Sequence, residues 1–256
     1  MKAIWKGSIG FGLVNIPVKL YSAIEQSNLD LDMVDRRDHA RIRFQRVNEN
    51  TGREVKWENI AKAYSLKNDY VILDEADFEE AAPEKSKIIE VNQFVDESEI
   101  DSVYYETSYF VEPEKNGAKA YSLLLAALTK SGKVGVAQFV MRTSEALTVL
   151  RPYGKILLLS RLRFAEEVRS AEELTGGSIS SVKPQELKMA LSIIKQYSKK
   201  FNIEKYKDEY SAQLLKLIKA KAAGKRPTVR KLKVAHRKSD DLMEQLKQSL
   251  GKKKVS

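Results

Sequence analysis

The chain has 256 residues and no cysteine, and it contains only two histidines, His39 and His236. The missing thiols exclude disulfides and thiolate metal sites, a composition that fits the reducing cytoplasm. The two histidines do not stand at the spacing of metal ligands, which argues against a zinc site. The sequence therefore predicts that the protein binds neither a metal nor a cofactor.

Catalytic motifs are missing as well. The sequence has no Gly-x-x-x-x-Gly-Lys-Ser/Thr phosphate loop, and neither histidine lies near a Gly-x-Ser-x-Gly elbow. Residues 10–12 (Gly-Phe-Gly) begin a dinucleotide-binding pattern, but Asn15 stands where the third glycine belongs. Acidic pairs such as Glu79-Glu80 lie in polar segments and are typical of solvated faces. We therefore predict that the chain is not an enzyme.

Long hydrophobic runs are also missing. No stretch of 18 apolar residues occurs, so the sequence predicts no transmembrane helix and no membrane partner. The N-terminus lacks a charged segment followed by an apolar core and a small-residue cleavage site, and therefore predicts no secretory signal. We expect a cytoplasmic protein.

The positive charge is concentrated at one end of the chain, whose net charge is +10. Residues 199–256 contain 18 Lys and Arg against 6 Asp and Glu, whereas the other 198 residues contain 27 basic and 29 acidic side chains. A segment with such a basic excess favours a polyanionic partner, with a solubilising tail as the alternative. The sequence therefore predicts nucleic acid as that partner.

Residues 3–21 read AIWKGSIGFGLVNIPVKLY, a run of apolar and β-prone side chains interrupted by three glycines. The run is too rich in glycine for a helix, and it predicts two successive strands over residues 4–9 and 13–21. Because Pro17 has no backbone N–H for a strand ladder, we expect an edge strand or a bulge at that position.

Further strands are predicted in the N-terminal 165 residues, which contain few helices. These strands lie over residues 41–47, 86–95, 102–111, 134–141 and 147–164, the last with a turn at Pro152-Tyr153-Gly154. Sequential strands joined by short turns favour an antiparallel sheet that closes into a barrel.

Helical spacing of apolar residues marks the remaining elements. Within the β region it predicts helices over residues 74–81 and 118–130. Beyond residue 169 it predicts apolar helix faces over residues 187–201 and 210–218 and a short helix over 240–250, with a basic segment at 225–238 that is extended or disordered.

The opening WKGSIGFGLVNIPVKLY closely resembles the start of the bacterial Ku proteins, which bind the ends of DNA double-strand breaks. Four later segments resemble the same family in the same order, at residues 36–47, 108–128, 133–154 and 201–225. Together these segments are spread over most of residues 1–225, so the resemblance is far more specific than one short motif.

The resemblance implies a β-rich α+β fold, with a Ku-type β-barrel core and dimerisation arm followed by a helical C-terminal region and a basic tail. We expect the core with its DNA-encircling arm over residues 1–175, the helical region over 176–224, and a partly disordered tail with a short helix over 225–256. The expected location is the cytoplasm, in association with the bacterial nucleoid.

The resemblance also implies a function. Two chains form a homodimeric ring that threads onto double-stranded DNA through a free end and contacts sugar and phosphate without sequence preference. The ring then recruits an ATP-dependent DNA repair ligase for non-homologous end joining. The protein is thus expected to be a clamp and a scaffold, with no bond made or broken.

Phosphate contacts require segregated cations, because the N-terminal region is close to neutral overall. The densest patch is residues 36–43, and others flank the helix over 118–130 and lie on the strands over 147–164. The predicted DNA-binding residues are Lys19, Arg36, Arg37, His39, Arg41, Arg43, Lys115, Lys119, Lys130, Lys133, Arg142, Arg151, Arg161, Arg163, Lys225, Arg226, Arg230 and Lys231.

One segment departs from the family's pattern. Residues 48–52 read Asn-Glu-Asn-Thr-Gly where several relatives carry Cys-x-x-Cys. No metal knuckle is therefore expected there, and Gly52 is expected to form a turn.

The sequence leaves two other function classes open. The first is an enzyme that processes DNA ends, either a nuclease or an abasic-site lyase in which a lysine of lowered pKa forms a Schiff base with the sugar aldehyde. No single lysine is marked out for that role. The second is a general architectural protein that binds DNA or RNA through its basic residues.

Overall fold

A computed structural model describes residues 1–25, 29–67, 69–81, 87–141, 144–171, 174, 181–225 and 242–251. The chain divides into two compact units, one formed by Met1–Gln26 with Asp32–Ser170 and the other by Ser27–Leu31 with Ala171–Ser256. The boundaries expected at residues 175 and 224 stay predictions, because both border on segments outside the described residues.

Seven strands of the first unit form a closed barrel in the order β1-β2-β6-β9-β8-β7-β5. Their bounds are β1 Trp5–Phe11, β2 Val14–Ser22, β5 Ile88–Asp96, β6 Tyr105–Pro113, β7 Lys133–Met141, β8 Ser144–Tyr153 and β9 Ile156–Leu162. Strands β3 (Lys62–Leu66) and β4 (Asp69–Leu73) form a separate two-stranded sheet. The predicted barrel and the mixed α+β class are confirmed.

The barrel differs from the prediction at the pair of strands that closes it. All other neighbouring strands are antiparallel, but β1 and β5 run parallel, with Ser8 opposite Ile88. The expectation of a wholly antiparallel sheet is therefore wrong. Parallel neighbours require a long connection, and the chain between β2 and β5 supplies one.

The hairpin of β1 and β2 confirms the two strands predicted from residues 3–21. Gly12 forms its turn with a φ of +55°, a left-handed conformation that costs other residues more than glycine. Gly7 is required for a different reason, since a Cβ atom there would lie 2.3 Å from the carbonyl oxygen of Lys87. Gly7 thereby lets the chain entering β5 approach β1 closely.

Pro17 lies in an interior strand, so the expectation of an edge strand or a bulge is wrong. Strand β2 pairs with β1 without a break in register, and Ser8 lies opposite Pro17. The ladder between β2 and β6 begins only at Val18, which is paired with Pro113. The missing N–H therefore falls outside that ladder, while the carbonyl of Pro17 accepts a hydrogen bond from Glu114 N at 2.8 Å.

The barrel core consists of the inward residues of its strands and one helix face. Helix α2 (Ala118–Ser131), which confirms the prediction over residues 118–130, buries Tyr121, Leu124 and Leu128 in the same cluster as the strand residues. The large aliphatic side chains that are fully buried are those of Ile9, Ile16, Val18, Leu20, Ile89, Val111, Val134, Val149, Leu150, Leu157 and Leu159. Burial of this apolar area is the main stabilising contribution to the barrel.

Tyr121 also joins α2 to the sheet through its hydroxyl. The hydroxyl donates to the carbonyl of Val111 and accepts from the N–H of Leu157, with both distances 2.7 Å. Val111 and Leu157 are the last paired residues of β6 and β9, so the hydroxyl satisfies backbone groups at the end of that ladder. Burial raises the pKa of the Tyr121 hydroxyl, which keeps it protonated as a donor.

The connection between β2 and β5 is an arm, defined here as residues 32–81. It contains β3, β4 and helix α1 (Glu75–Ala81), the last of which confirms the helix predicted over 74–81. The strand predicted over residues 41–47 is wrong, because only isolated bridges occur there, at Arg41 and Val47. Its alternating residues, including Ile42 and Phe44, are exposed, so no covering surface converts the alternation into a strand.

The second unit is helical, as predicted. Its helices are α3 (Pro184–Tyr197), α4 (Glu209–Ala222) and α5 (Leu242–Gly251), and α3 contacts α5. Helix α3 starts with Pro184 in its first turn but ends at Tyr197, earlier than the predicted face over 187–201, because Ser198 is extended with a ψ of 120°. Phe201 therefore lies in the loop between α3 and α4. Most of the basic segment 225–238 lies outside the described residues.

Candidate nucleic-acid interface

Four predicted cations of the barrel are held in ion pairs. Each has a carboxylate oxygen 2.9–3.8 Å away, and only 29–40% of each cationic side chain is exposed. An approaching phosphate therefore competes with a carboxylate that is already in place. The pairs are Lys19–Glu114, Lys133–Asp96, Arg151–Glu97 and Arg161–Glu106.

Arg163 uses its guanidinium to join two segments of the barrel. Its Nη1 donates to the carbonyls of Val103, at 3.2 Å, and of Tyr105, at 2.8 Å. Its backbone N–H donates to the carbonyl of Tyr104 at 2.8 Å. These bonds hold the chain after β9 against the start of β6, so Arg163 has a structural task in addition to the role predicted for it.

The predicted lysines around α2 are exposed, and none has an ion partner among the described residues. Lys115 lies in the turn before the helix and Lys119 in its first turn, where the N-cap Gly117 offers no side-chain cap. Lys130 lies in the last turn, where a cation is favoured by the helix dipole. The structure thus brings Lys115 and Lys119 to one end of α2 and Lys130 to the other.

The remaining predicted cations outside the arm are described only in part. Lys225 is exposed just after α4, and its N–H donates to the carbonyl of Ala220 at 2.9 Å. Arg142, Arg226, Arg230 and Lys231 lie outside the described residues. Because Lys225 belongs to the second unit, nothing is implied about its position relative to the barrel.

The predicted patch at residues 36–43 lies on the arm and is highly exposed. Arg37 pairs with Asp35 at 2.8 Å and Arg41 with Asp32 at 2.7 Å, with 88% and 75% of the two arginine side chains exposed. The hydrogen bonds from Arg37 lower the pKa of Asp35, which stays ionised. Ion pairs this exposed are weak, so a phosphate can replace their carboxylates.

Two other arginines of the patch have no ion partner within the described part of the chain. Arg36 lies in the turn beside His39, whose φ of +61° places it in the left-handed region, and Arg43 follows the bridge of Arg41 with Val34. Their charges are not compensated locally, which makes them the strongest phosphate candidates among the predicted residues.

Sequence reasoning missed further cations on the same arm. The guanidinium of Arg46 lies 4.8 Å from the centroid of the Trp57 ring, and Lys62 Nζ lies 4.7 Å from that of Phe78. Arg53 and Lys67 are exposed and have no ion partner among the described residues. The signal was available, since residues 36–67 contain nine Lys and Arg against four Asp and Glu, whereas residues 69–80 contain six acids and no base.

The arm also exposes its large apolar side chains. No described residue of the arm is buried, and only three are even half-buried. A folded segment rarely leaves so much apolar surface in water unless a partner covers it. The exposed apolar residues are Met33, Val34, Ile42, Phe44, Val47, Trp57, Ile60, Tyr64, Leu66, Tyr70, Val71, Ile72 and Phe78.

The turn at residues 48–52 is closed by hydrogen bonds. Asn48 Oδ1 accepts from the N–H groups of Asn50 and Thr51, both at 3.0 Å, and the N–H of Gly52 donates to the carbonyl of Asn48 at 2.8 Å. Gly52 adopts a φ of +64°, as expected for the predicted turn. The side chain of Asn48 thus organises this turn of the arm through hydrogen bonds. Among the described residues, no group of three His, Cys, Asp or Glu side chains is arranged to hold a metal ion.

Comparison with known proteins identifies the family. The family model for the Ku70/Ku80 beta-barrel domain matches residues 10–189. Non-homologous end joining protein Ku from Archaeoglobus fulgidus is 41% identical over 88% of this chain and 90% of its own length. The proteins of the same name from Coxiella burnetii and Bacillus subtilis are each 38% identical, over 98% and 90% of this chain and 95% and 75% of their own lengths.

Two other findings accompany these matches. The SPOC domain of human PHD-finger protein 3 matches 63% of this chain and 95% of its own, at 14% identity and a TM-score of 0.32, which is only a weak likeness. Within the described residues, no helix has the length and apolarity needed to cross a membrane. Ku proteins are not enzymes, so the prediction that the chain is not an enzyme is confirmed by its relatives. The family match and the identity over nearly the whole chain show that it belongs to the prokaryotic Ku family of non-homologous end joining proteins.

Proposed function

We propose that two copies of this chain form a ring that threads onto double-stranded DNA through a free end. The ring holds sugar and phosphate irrespective of sequence and recruits an ATP-dependent DNA repair ligase for non-homologous end joining. The names of the relatives support a role in non-homologous end joining. The exposed apolar side chains of the arm are the observation on which the proposed mechanism rests.

The apolar surface of the arm supports a second copy as its partner. A two-stranded sheet alone is marginally stable in water, yet β3 and β4 expose Tyr64, Leu66, Tyr70, Val71 and Ile72. A homodimer covers such a patch with an identical one across a two-fold axis. The acidic residues 69–80 repel phosphates, so the part of the arm around β4 and α1 is suited to a protein neighbour.

The basic part of the arm supports contact with the DNA backbone. Arg36 and Arg43 have no ion partner in the described part of the chain, and the carboxylates of Arg37 and Arg41 are exchangeable because both arginines are exposed. Contacts of this kind do not depend on sequence, since every nucleotide carries the same phosphate. We propose Arg46 and Arg53 as additional contacts, and the predicted cations of the barrel and tail as weaker ones.

The ring is tested by removing the free end. The full chain is mixed with one plasmid in linear form, in sealed circular form, and in linear form with both ends blocked by bulky groups. Retention of the linear form alone is expected, because a closed ring has no other entry. Equal retention of the sealed circle, or a chain that is monomeric both alone and on DNA, would falsify the proposal.

The electrostatic nature of the contact is tested by salt. If about eight to ten phosphates are neutralised, the logarithm of the binding constant falls with the logarithm of salt concentration with a slope of about −7 to −9. A slope near zero contradicts a ring that holds phosphates. End-labelled DNA, intact or abasic, is incubated with Mg²⁺ in parallel, and any cleaved or covalently trapped product would favour a DNA-end-processing enzyme instead.

The basic tail is proposed as an auxiliary DNA contact that takes no part in dimerisation. Deleting residues 225–256 removes 11 Lys and Arg and is expected to weaken DNA binding and make the salt slope shallower. The deleted chain is expected to remain a dimer in sedimentation. Monomers after this deletion would place the dimer interface in the tail.

Ligase recruitment is tested separately from DNA binding. An ATP-dependent DNA repair ligase is titrated against linear DNA with and without the chain, and joining of ends is compared with sealing of a nick in a circle. Joining is expected to rise while nick sealing is unchanged, because only a free end admits the ring. Equal stimulation of both reactions contradicts recruitment at ends.

A further inference from the structure

The loop between α3 and α4 in the second unit exposes two aromatic rings. Phe201 and Tyr206 stack on each other with a centroid distance of 5.8 Å and an interplanar angle of 26°, and they are 71% and 72% exposed. Because each ring is covered on only one side by the other, each can offer its outer face to a planar ligand. This pair has no role in the dimer or in the duplex contacts proposed above.

The loop is held in place by its own hydrogen bonds. Asn202 Oδ1 accepts from the N–H of Glu204 at 2.9 Å, and the N–H of Tyr206 donates to the carbonyl of Ile203 at 3.0 Å. At the loop's end, Asp208 Oδ1 accepts from the N–H of Ser211 at 3.0 Å and caps α4. The two rings are therefore presented by an ordered backbone, which lowers the entropic cost of binding.

Positive charge surrounds the rings. Residues 199–207 contain four lysines and one glutamate. Lys200 and Lys205 line a concavity of about 560 Å³ together with Phe201, Asn202, Ile203 and Glu204, and Lys207 follows Tyr206 directly. The concavity thus combines an exposed aromatic ring with lysines that lie within one or two residues of an aromatic residue in the sequence.

Aromatic faces beside lysines are the features that bind single-stranded nucleic acid, in which unpaired bases stack on rings and phosphates meet cations. Duplex DNA does not use them, because its bases are already stacked on one another. We propose that residues 200–207 bind the single-stranded overhang of a DNA end, with bases stacked on Phe201 and Tyr206 and phosphates contacted by Lys200, Lys205 and Lys207. This site rests on the proposed function for the arrival of a DNA end.

The test compares three labelled probes on the full chain: a blunt duplex, the same duplex with a single-stranded thymidine overhang, and the thymidine oligonucleotide alone. The unaltered chain binds the overhang probe more tightly than the blunt one. The double variant Phe201→Ala with Tyr206→Ala lowers affinity for the overhang probe by about fivefold or more, which corresponds to the loss of one or more stacked bases. Affinity for the blunt duplex is unchanged.

Two further variants separate stacking from charge and from loss of structure. Phe201→Tyr with Tyr206→Phe keeps both rings and retains the overhang preference, whereas Lys200→Glu with Lys205→Glu removes it. Tyr153→Ala is the matched control, because Tyr153 is also an exposed ring, 54% accessible and paired with Phe110 at 6.1 Å, but lies in the barrel. This control is expected to retain the overhang preference.

The outcomes distinguish this site from the ring. Equal affinity of the unaltered chain for blunt and overhang probes overturns the site while leaving the ring intact. Failure to bind any of the DNA probes overturns the proposed function. Alanine variants that keep the overhang preference but lose binding to the repair ligase overturn the site in favour of a protein-docking loop.

Discussion

The barrel and the arm are built from the same kinds of residue, but they use them in opposite ways. In the barrel the large aliphatic side chains are buried and four of the predicted cations have carboxylate partners. In the arm the apolar side chains are exposed, and cations such as Arg36 and Arg43 have no ion partner among the described residues. The barrel thus satisfies its own side chains, whereas those of the arm are left for partners.

This difference separates stability from function within one unit. Burial and ion pairing in the barrel stabilise its fold, but they leave few exposed apolar groups and few uncompensated charges with which to bind a partner. Exposed apolar groups and uncompensated charges in the arm contribute little to its own fold, and they gain most when a protein or a polyanion arrives. Substitutions in the barrel should therefore change stability, and substitutions in the arm should change assembly or DNA binding.

The largest effect is expected for acidic residues placed on the exposed sheet of the arm. Tyr64→Asp combined with Ile72→Asp puts charges on both faces of the β3–β4 sheet, where Tyr64 is 66% and Ile72 68% exposed. Since the proposed dimer would have to bury these charges, the variant should sediment as a monomer at concentrations where the unaltered chain is a dimer.

The matched control lies in the barrel. Leu13→Asp replaces a fully exposed leucine in the turn between β1 and β2 and should leave the dimer intact. Circular dichroism should show that all variants keep a folded barrel. A dimer that survives the two arm substitutions would move the interface to another surface and remove the main argument for the arm as a docking element.

A large loss of stability is expected when the Tyr121 hydroxyl is removed from the barrel. Tyr121→Phe leaves the carbonyl of Val111 and the N–H of Leu157 without their partner in a buried place. Each buried unpaired group costs about 1–3 kcal/mol, so the loss of the partner of two such groups should lower the free energy of unfolding by about 2–6 kcal/mol. Calorimetric unfolding of the variant is compared with that of Tyr70→Phe in the arm, where the residue is 71% exposed and the loss of its hydroxyl should matter little. Equally small effects of the two substitutions would contradict the conclusion that barrel residues determine stability and arm residues determine binding.

The same division explains which parts of the fold were predictable from sequence. Alternation in β2 reflects Ile16, Val18 and Leu20, all of which are fully buried on one face. Alternation over residues 41–47 looked similar, but no surface covers Ile42 and Phe44 in the described chain, and no strand forms. An alternating pattern forms a strand only where another surface covers its apolar face. That surface is supplied by residues that are distant in the sequence.

Contacts between residues far apart in the sequence were likewise not predictable, both in the barrel and in the candidate site. The parallel pairing of β1 with β5 joins segments about 80 residues apart, which no local pattern records. The contacts of Arg46 with Trp57 and of Lys62 with Phe78 also depend on how the arm folds back on itself. By contrast, the basic patch at residues 36–43 was predictable, because its arginines are close together in the sequence. Recognising such a patch requires no knowledge of tertiary contacts.

A smaller effect is expected from charge reversal, and it tests whether local pairing decides which cations bind DNA. Arg41→Glu with Arg43→Glu in the arm should weaken binding of linear duplex to the same degree for all sequences and make the salt slope shallower by about 2. Lys133→Glu with Arg161→Glu in the barrel should weaken it less, because Asp96 and Glu106 already compensate those cations. Anisotropy titrations over a salt series measure both pairs of variants.

Two results would change the interpretation of these titrations. A loss confined to one DNA sequence would indicate base readout by the arm rather than phosphate contact. Equal losses for the arm and barrel variants would show that carboxylate partners do not reduce the contribution of the barrel cations, and would extend the DNA-binding surface over β7 and β9.

The smallest effect is expected in alkaline solution, where the buried hydroxyl of Tyr121 should add to the pH dependence of stability. Burial raises the pKa of Tyr121, so the folded state holds that proton more tightly than the unfolded state does. The resulting stabilisation is fully present below the unfolded pKa of about 10 and is lost as pH rises through the higher folded pKa. In urea titrations above about pH 10, stability should therefore fall less steeply for Tyr121→Phe than for the unaltered chain. An identical pH dependence in Tyr121→Phe would mean that the hydroxyl is not desolvated in the folded barrel.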